Sequence, residues 1–162
     1  MIFLFIILPL LVITCKIFYF HFPSYKGAGI AIFHKGNNGY EILLGKRKYN
    51  PGKDKWSIPG GGYEKYDNSL FDTAKRECKE ELSLDINKLN AELVNVYSIW
   101  LPKFKWKTFL YDLREDIYFN NKIIHEFSEL KFISINDIKN YKLNLFVKGE
   151  IKRFLRNKKK FF

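Results

Sequence analysis

Two cysteines are all the thiol this 162-residue chain carries, Cys15 in an apolar N-terminal stretch and Cys78 in a segment of helical periodicity. Neither place suits pairing with the other, so a disulfide-stapled scaffold is excluded and a reducing compartment is expected. Acidic residues are also scarce: 17 Asp and Glu stand against 28 Lys and Arg, a formal net charge of +11. Much of that excess lies in residues 142–162, which hold eight Lys or Arg and a single acid, Glu150. Such a lysine-rich composition fits a solvated surface as well as it fits an anionic partner. There is no internal repeat, and no low-complexity sequence outside the lysine-rich tail, which excludes a repeat array. What is abundant is apolar: 47% hydrophobic and 18% aromatic residues suffice for one well-buried domain and exclude global disorder.

The first fifteen residues have no charge, and residues 1–22 have one, Lys16. About 20 apolar residues cross a bilayer. Residues 2–22 reach that length if Lys16 snorkels and Phe18, Tyr19, Phe20 and Phe22 sit at the interface, so a transmembrane signal-anchor over 1–22 is expected. The alternative is a cleaved signal peptide and export, but no Lys or Arg precedes the run and no small-residue cleavage pattern follows it. Positive charges at Lys26, Lys35, Lys46, Arg47 and Lys48 come after the segment, which predicts a membrane-anchored, cytoplasmic domain. Met1 is the only methionine, so no internal start would yield a form without this segment.

Residues 23–156 read as one α/β domain, and 157–162 as a basic and aromatic tail. Ala28 to Phe33 and Tyr40 to Gly45 are strand-like and flank Gly36-Asn37-Asn38-Gly39, a hairpin signal. Lys46 to Lys55 is expected to be an exposed loop, followed by a short strand Trp56-Ser57-Ile58 that Pro59-Gly60-Gly61-Gly62 stops. Asp67, Asn68 and Ser69 are each suited to cap a helix over Leu70 to Leu82, which lacks Gly and Pro and buries Phe71, Ala74, Cys78 and Leu82 at helical spacing. Further strands are predicted at Glu92 to Trp100, Lys105 to Leu113 and Leu130 to Ile133. A short helix should follow the last strand, and a second amphipathic helix should run over Leu145 to Arg156. Irregular alternation of this kind around a mixed sheet suggests an α/β sandwich.

The chemistry-bearing residues lie on the first helix. Glu77, Glu80 and Glu81 stand at i, i+3 and i+4, crowding three carboxylates onto one face at a cost of a few tenths of a kcal/mol per pair. Arg76 relieves Glu80, and the natural partner for the remaining oxygens is a hard divalent cation, Mg2+ or Mn2+. On its own such a helix face is more often simply solvated. Its context differs, because Gly60, Gly61 and Gly62 let the backbone approach a ligand just before a helix N-terminus that favours phosphate. Together these features make a site where metal neutralises phosphate and activates water.

Residues 59–84, PGGGYEKYDNSLFDTAKRECKEELSL, resemble the Nudix box, G-x5-E-x7-R-E-U-x-E-E-x-G-U, where U is a bulky aliphatic residue. The R-E-U-x-E-E half matches with Cys78 as a small apolar U. The first glutamate has no counterpart: counting six from Gly61 reaches Asp67 with one residue too many before Arg76, whereas counting from Gly62 puts Asn68 there. Ser83 replaces the late glycine and Leu84 takes the final U position, so a helix exit unlike the usual glycine-terminated one is expected. Gly45-Lys46-Arg47, Lys55 to Gly61 and His125 to Ile133 extend the similarity, which covers about residues 27–155.

The resemblance implies a Nudix-type α/β/α sandwich, a mixed sheet between helices, preceded here by the N-terminal hydrophobic helix. It implies Mg2+-dependent hydrolysis of a nucleoside diphosphate linked to another moiety, with water attacking phosphorus. Glu77, Glu80 and Glu81 would hold metal, any one of them instead handling the water, and Arg76 would orient them by ion pairing. The Gly60 carbonyl and Glu126, or else Glu129, are candidate further ligands. Arg47 with Gly60, Gly61 and Gly62 would contact the substrate, although Arg47, Lys53 and Lys55 also fit a solvated loop, and Trp56 is expected in the core. A weakly catalytic nucleotide-binding module and a membrane-surface adaptor using the basic tail are the rival readings. Nucleic acid is not expected, since no recognition helix or aromatic-rich strand motif is evident.

Overall fold

The computed structural model describes residues 23–117 and 126–159, so the expected membrane segment over 1–22 and the end of the tail lie outside the described residues. The strands are β1 (Tyr25–Gly36), β2 (Gly39–Arg47), β3 (Trp56–Ser57), β4 (Gly60–Gly62), β5 (Ala91–Leu101), β6 (Phe104–Leu113) and β7 (Phe127–Ser134). The helices are α1 (Leu70–Leu82) and α2 (Val147–Lys158), with single 3-10 turns at Ile86–Lys88 and Ile138–Asn140. Among the described residues no helix is long and apolar enough to cross a membrane.

The β1–β2 hairpin forms as the Gly36-to-Gly39 turn predicts, with Phe33 opposite Ile42 and Gly36 opposite Gly39. β1 is the organising strand. Along one edge it pairs in parallel with β6 from Tyr25–Phe104 to His34–Leu113, and β6 in turn pairs antiparallel with β5. Its other edge is divided: β4 takes Gly27–Gly29, and β2 takes Phe33–Gly36. β2 then leaves β1 to pair with β3 and, on its far side, with β7. The sheet therefore forks, and the fork opens the space in which the candidate site lies.

Both faces of β1 are covered, which explains its unbroken apolar run. Ala28, Ile30 and Ile32 pack with Ala74, Cys78 and Leu82 of α1, while Ala31 and Phe33 pack with Val147, Ile151 and Phe154 of α2. The period-2 alternation of the strand thus feeds two cores. Phe33 and Phe154 stack with ring centroids 3.8 Å apart, and burying each such side chain contributes about 1.5–3 kcal/mol. The architecture is the expected α/β one, a mixed sheet with a helix packed on each face.

Some expectations change in detail. The glycines at 60–62 do not end a strand but form one, β4, since without side chains they can lie against the equally bare Gly27 and Gly29. At Gly60, where φ is 153°, a Cβ would stand 2.6 Å from the Ala28 carbonyl oxygen. α2 begins at Val147 rather than Leu145, because Phe146 adopts a left-handed φ of 79° and sets the start. At the end of α1, Ser83 takes the αL conformation (φ 57°, ψ 24°) and its N–H bonds the Lys79 carbonyl at 2.9 Å. The departure from glycine therefore leaves the αL exit intact, at a strain of about 1–2 kcal/mol.

Candidate active site

α1 starts because the Ser69 hydroxyl accepts the Asp72 N–H at 3.1 Å, so Ser69 is the cap among the three residues suited to it. This frees Asp67 for another task. Buried at 6% exposure, its carboxylate accepts from Glu64 N and Thr73 Oγ1, each at 2.9 Å, and from Arg76 Nε and Nη2, each at 3.2 Å. The guanidinium holds the Asp67 carboxyl down at about 2. Asp67, which precedes the helix, thus pairs with Arg76 although it is one residue out of step with the box. Arg76, its own ionisation strengthened chiefly by Asp67, also reaches Glu77 Oε1 at 2.9 Å, Glu80 Oε2 at 3.0 Å and the Gly62 carbonyl at 2.9 Å. One side chain ties the glycine strand to the carboxylate helix.

The carboxylates separate according to this wiring. Glu81 is buried at 4% exposure, and its Oε2 accepts the Gly60 N–H at 2.8 Å. Burial pushes its carboxyl up to about 9, with Glu126 and Glu77 adding repulsion. Glu77 is also shifted upward, by burial first, against the pull of Arg76. Gly61 has no room for a side chain beside it, since a Cβ would lie 2.5 Å from Glu77 Oε1. Glu80 is turned outward toward Arg76, its side chain 56% exposed. Glu126 lies 3.5 Å from Arg47 Nη2 and is one of the charges that repel Glu81, whereas Glu129 pairs with Lys131 at 3.3 Å. Trp56 is in the core, as expected, and Lys53 and Lys55 are exposed.

These groups meet at a cavity of about 560 Å3 in the fork of the sheet. Part of its lining is polar: Arg47, the three glycines of β4, Glu77, Glu81 and Glu126. Another part is an aromatic wall of Tyr25, Phe104, Trp106 and Phe146, with Tyr25 close to Gly62, and Glu150 of α2 also reaches the cavity. The structure thus brings together the predicted residues Arg47, Gly60, Gly61, Gly62, Glu77, Glu81 and Glu126, and leaves Glu80 outside the cavity lining. Among the described residues no three acidic, His or Cys side chains form a ready-made cage, because Arg76 holds Glu77 while Glu81 turns to the Gly60 amide. The donor set still fits a hard divalent cation: oxygens only, one of them a buried carboxylate raised in pKa with no cationic side chain bonded to it.

The aromatic wall and Glu150 are absent from the sequence reading. The available signal was Glu150 itself, a lone acid on the buried face of α2, three residues after Val147 and four before Phe154.

Three solved structures share the fold. A C. elegans Ap4A hydrolase in a binary complex is 21% identical, with 81% of this chain and 96% of that one covered at a TM-score of 0.66. The M. smegmatis Nudix hydrolase RenU is 16% identical, covering 83% and 86% at 0.65. The NUDIX domain of Shewanella oneidensis NrtR, complexed with ADP ribose, is 17% identical, covering 83% and 90% at 0.61. The NUDIX domain family model matches residues 25–155, the whole span from β1 into α2. With that match and the arginine-centred glutamate helix behind its glycine strand, the chain belongs to the NUDIX family and is a hydrolase acting on acid anhydrides.

Proposed function

We propose that the chain hydrolyses a phosphoanhydride bond in a nucleoside diphosphate derivative in a Mg2+-dependent or Mn2+-dependent reaction. The observation that carries this reading is the buried Glu81 carboxylate, held by the Gly60 amide and lining one cavity with Glu77 and Glu126. Carboxylates so placed need a cation, and a diphosphate is the ligand that shares it. Mg2+ or Mn2+, when bound, supplies neutralisation of the diphosphate and activation of water. Glu77, Glu81 and Glu126, which line the cavity, would hold the ion, with Glu80 and the Gly60 carbonyl as further candidate oxygens. Arg76 fixes the spacing of Glu77 and Glu80. The side-chain-free backbone of β4 and Arg47 receive the phosphates. The missing first glutamate of the box and Ser83 in place of its late glycine favour a non-catalytic binder; the Asp67 carboxylate on Arg76 and the αL conformation of Ser83 support the catalytic reading.

A panel of nucleoside diphosphate derivatives, assayed for nucleotide or phosphate release with and without Mg2+, tests the reading. The wild type should turn over at least one substrate, and Glu81→Gln should lose a factor of about 100 or more. Equal rates in both would refute it.

The same proposal includes a tether. Residues 1–22 anchor the domain at a membrane, with the domain on the cytoplasmic side and the basic tail against anionic lipid. The full chain should sediment with membranes and be released by detergent, not by salt. Recovery in the soluble fraction would overturn the tether and leave the hydrolase reading untouched.

A further inference from the structure

Among the buried ionisable groups that the mechanism does not use, one lines the cavity. Glu150 of α2 is 1% exposed and lines the cavity together with the aromatic residues. Its Oε1 accepts the Thr108 hydroxyl at 2.6 Å, and that hydroxyl in turn accepts the Trp106 indole N–H at 2.9 Å. The direction of the chain is therefore set: Thr108 has a single proton and spends it on Glu150. Glu150 Oε2 has no hydrogen-bond partner among the described residues, although it is fully buried. A buried carboxylate with one donor on one oxygen is short of donors, and leaving such an acceptor unpaired costs about 1–3 kcal/mol.

The surroundings indicate what brings the missing donor. Trp106 and Tyr25 lie nearly parallel, 11° apart with centroids separated by 6.4 Å, and Phe104 stacks on Tyr25 at 5.5 Å. These rings line the cavity together with Glu150, so a ligand seated among them has flat apolar surfaces on its faces and, at the cavity's edge, a carboxylate that is one donor short. A planar heterocycle carrying an amino group satisfies both.

We propose that Glu150, oriented by Thr108 and Trp106, is a specificity-determining residue that accepts a hydrogen bond from the amino group of a nucleobase lodged against the aromatic wall. This deepens the proposed function and rests on it for the nature of the ligand. The diphosphate then reaches the glutamates that line the same cavity. Burial raises the Glu150 carboxyl to about 7, so an amino donor at Oε2 also favours its ionised form.

The test is calorimetric titration of the full chain, in detergent and Mg2+, with nucleoside 5′-monophosphates, which have no phosphoanhydride to be cleaved. Three pairs differ only by the amino group: adenine against purine, guanine against hypoxanthine, and cytosine against 2-pyrimidinone. At least one amino-bearing nucleotide should bind about tenfold tighter than its partner. Glu150→Gln, which keeps the shape but places an amide N–H at one of the two positions, should abolish or invert that ratio without lowering the affinity for inorganic pyrophosphate. Thr108→Val should weaken the ratio in the same direction. Binding of none of the six nucleotides, equal affinities within every pair, or a ratio preserved in Glu150→Gln overturns the inference. Anhydride hydrolysis by a chain without base preference would sink Glu150 alone, whereas base discrimination without hydrolysis would sink the proposed activity alone.

Discussion

Replacing Asp67 by Asn tests whether the box has kept its first acid at a shifted position. The carboxylate takes four donors: Oδ1 receives Arg76 Nε, and Oδ2 receives Arg76 Nη2, Glu64 N and Thr73 Oγ1. An amide with its oxygen at the Oδ2 position keeps three of these and turns its NH2 toward the Nε–H of Arg76, donor against donor. The buried guanidinium also loses its main counter-charge. Breaking a buried ion pair costs about 3–5 kcal/mol, but Arg76 retains Glu77, Glu80 and the Gly62 carbonyl, so about 2–3 kcal/mol is expected. For a domain of this size that lowers Tm by about 4–12 °C. The pH dependence has a definite sign. Asp67 is held at about 2 in the folded protein against an ordinary value of 3.8. Its ionised form therefore stabilises the fold fully above about pH 4, and this contribution is lost as pH falls through 2. Thermal melts by circular dichroism should show a constant gap between wild type and Asp67→Asn from pH 7 to 5, closing below pH 4. A gap under about 0.5 kcal/mol at pH 7, or one that persists unchanged to pH 2, would refute the assignment.

Ser83→Gly should relieve the αL strain at the end of α1, partly offset by the glycine's greater freedom when unfolded; a net gain of about 0.5–1 kcal/mol should raise Tm by about 1–4 °C and leave turnover unchanged. Millimolar Mg2+ should raise the Tm of the wild type, since saturation at a hundred times Kd stabilises by about 2.7 kcal/mol, and should do so far less in Glu81→Gln. An equal rise in both proteins would place the ion elsewhere.

The glutamate helix could be read directly from the chain. Its cap, its apolar stripe and the i, i+3, i+4 spacing of the acids are all local properties, set by 3.6 residues per turn within 13 residues. The hairpin was legible for the same reason: turn chemistry at 36–39 between two strand-like runs carries its own geometry, whereas the burial of β1 on both faces came only with the helices packed against it. Spacing along the helix places Glu77, Glu80 and Glu81 together but cannot tell them apart. Only the packing of β4 against β1, through glycines on both strands, brings the Gly60 amide to Glu81, and only Arg76 draws Glu80 outward. Asp67 is one residue out of register with the box by counting, yet it reaches Arg76 because a carboxylate in a turn is placed by the path of the backbone and not by its index. Glu150 gave one local signal, an acid on the apolar face of α2, but nothing local gave it a role. Its significance arises from Thr108, 42 positions earlier, and from a cavity that exists because the sheet forks where β2 and β4 part from β1. Local periodicity thus determined the elements and the family motif, whereas long-range strand pairing decided which carboxylates share a cavity and what lines it with them.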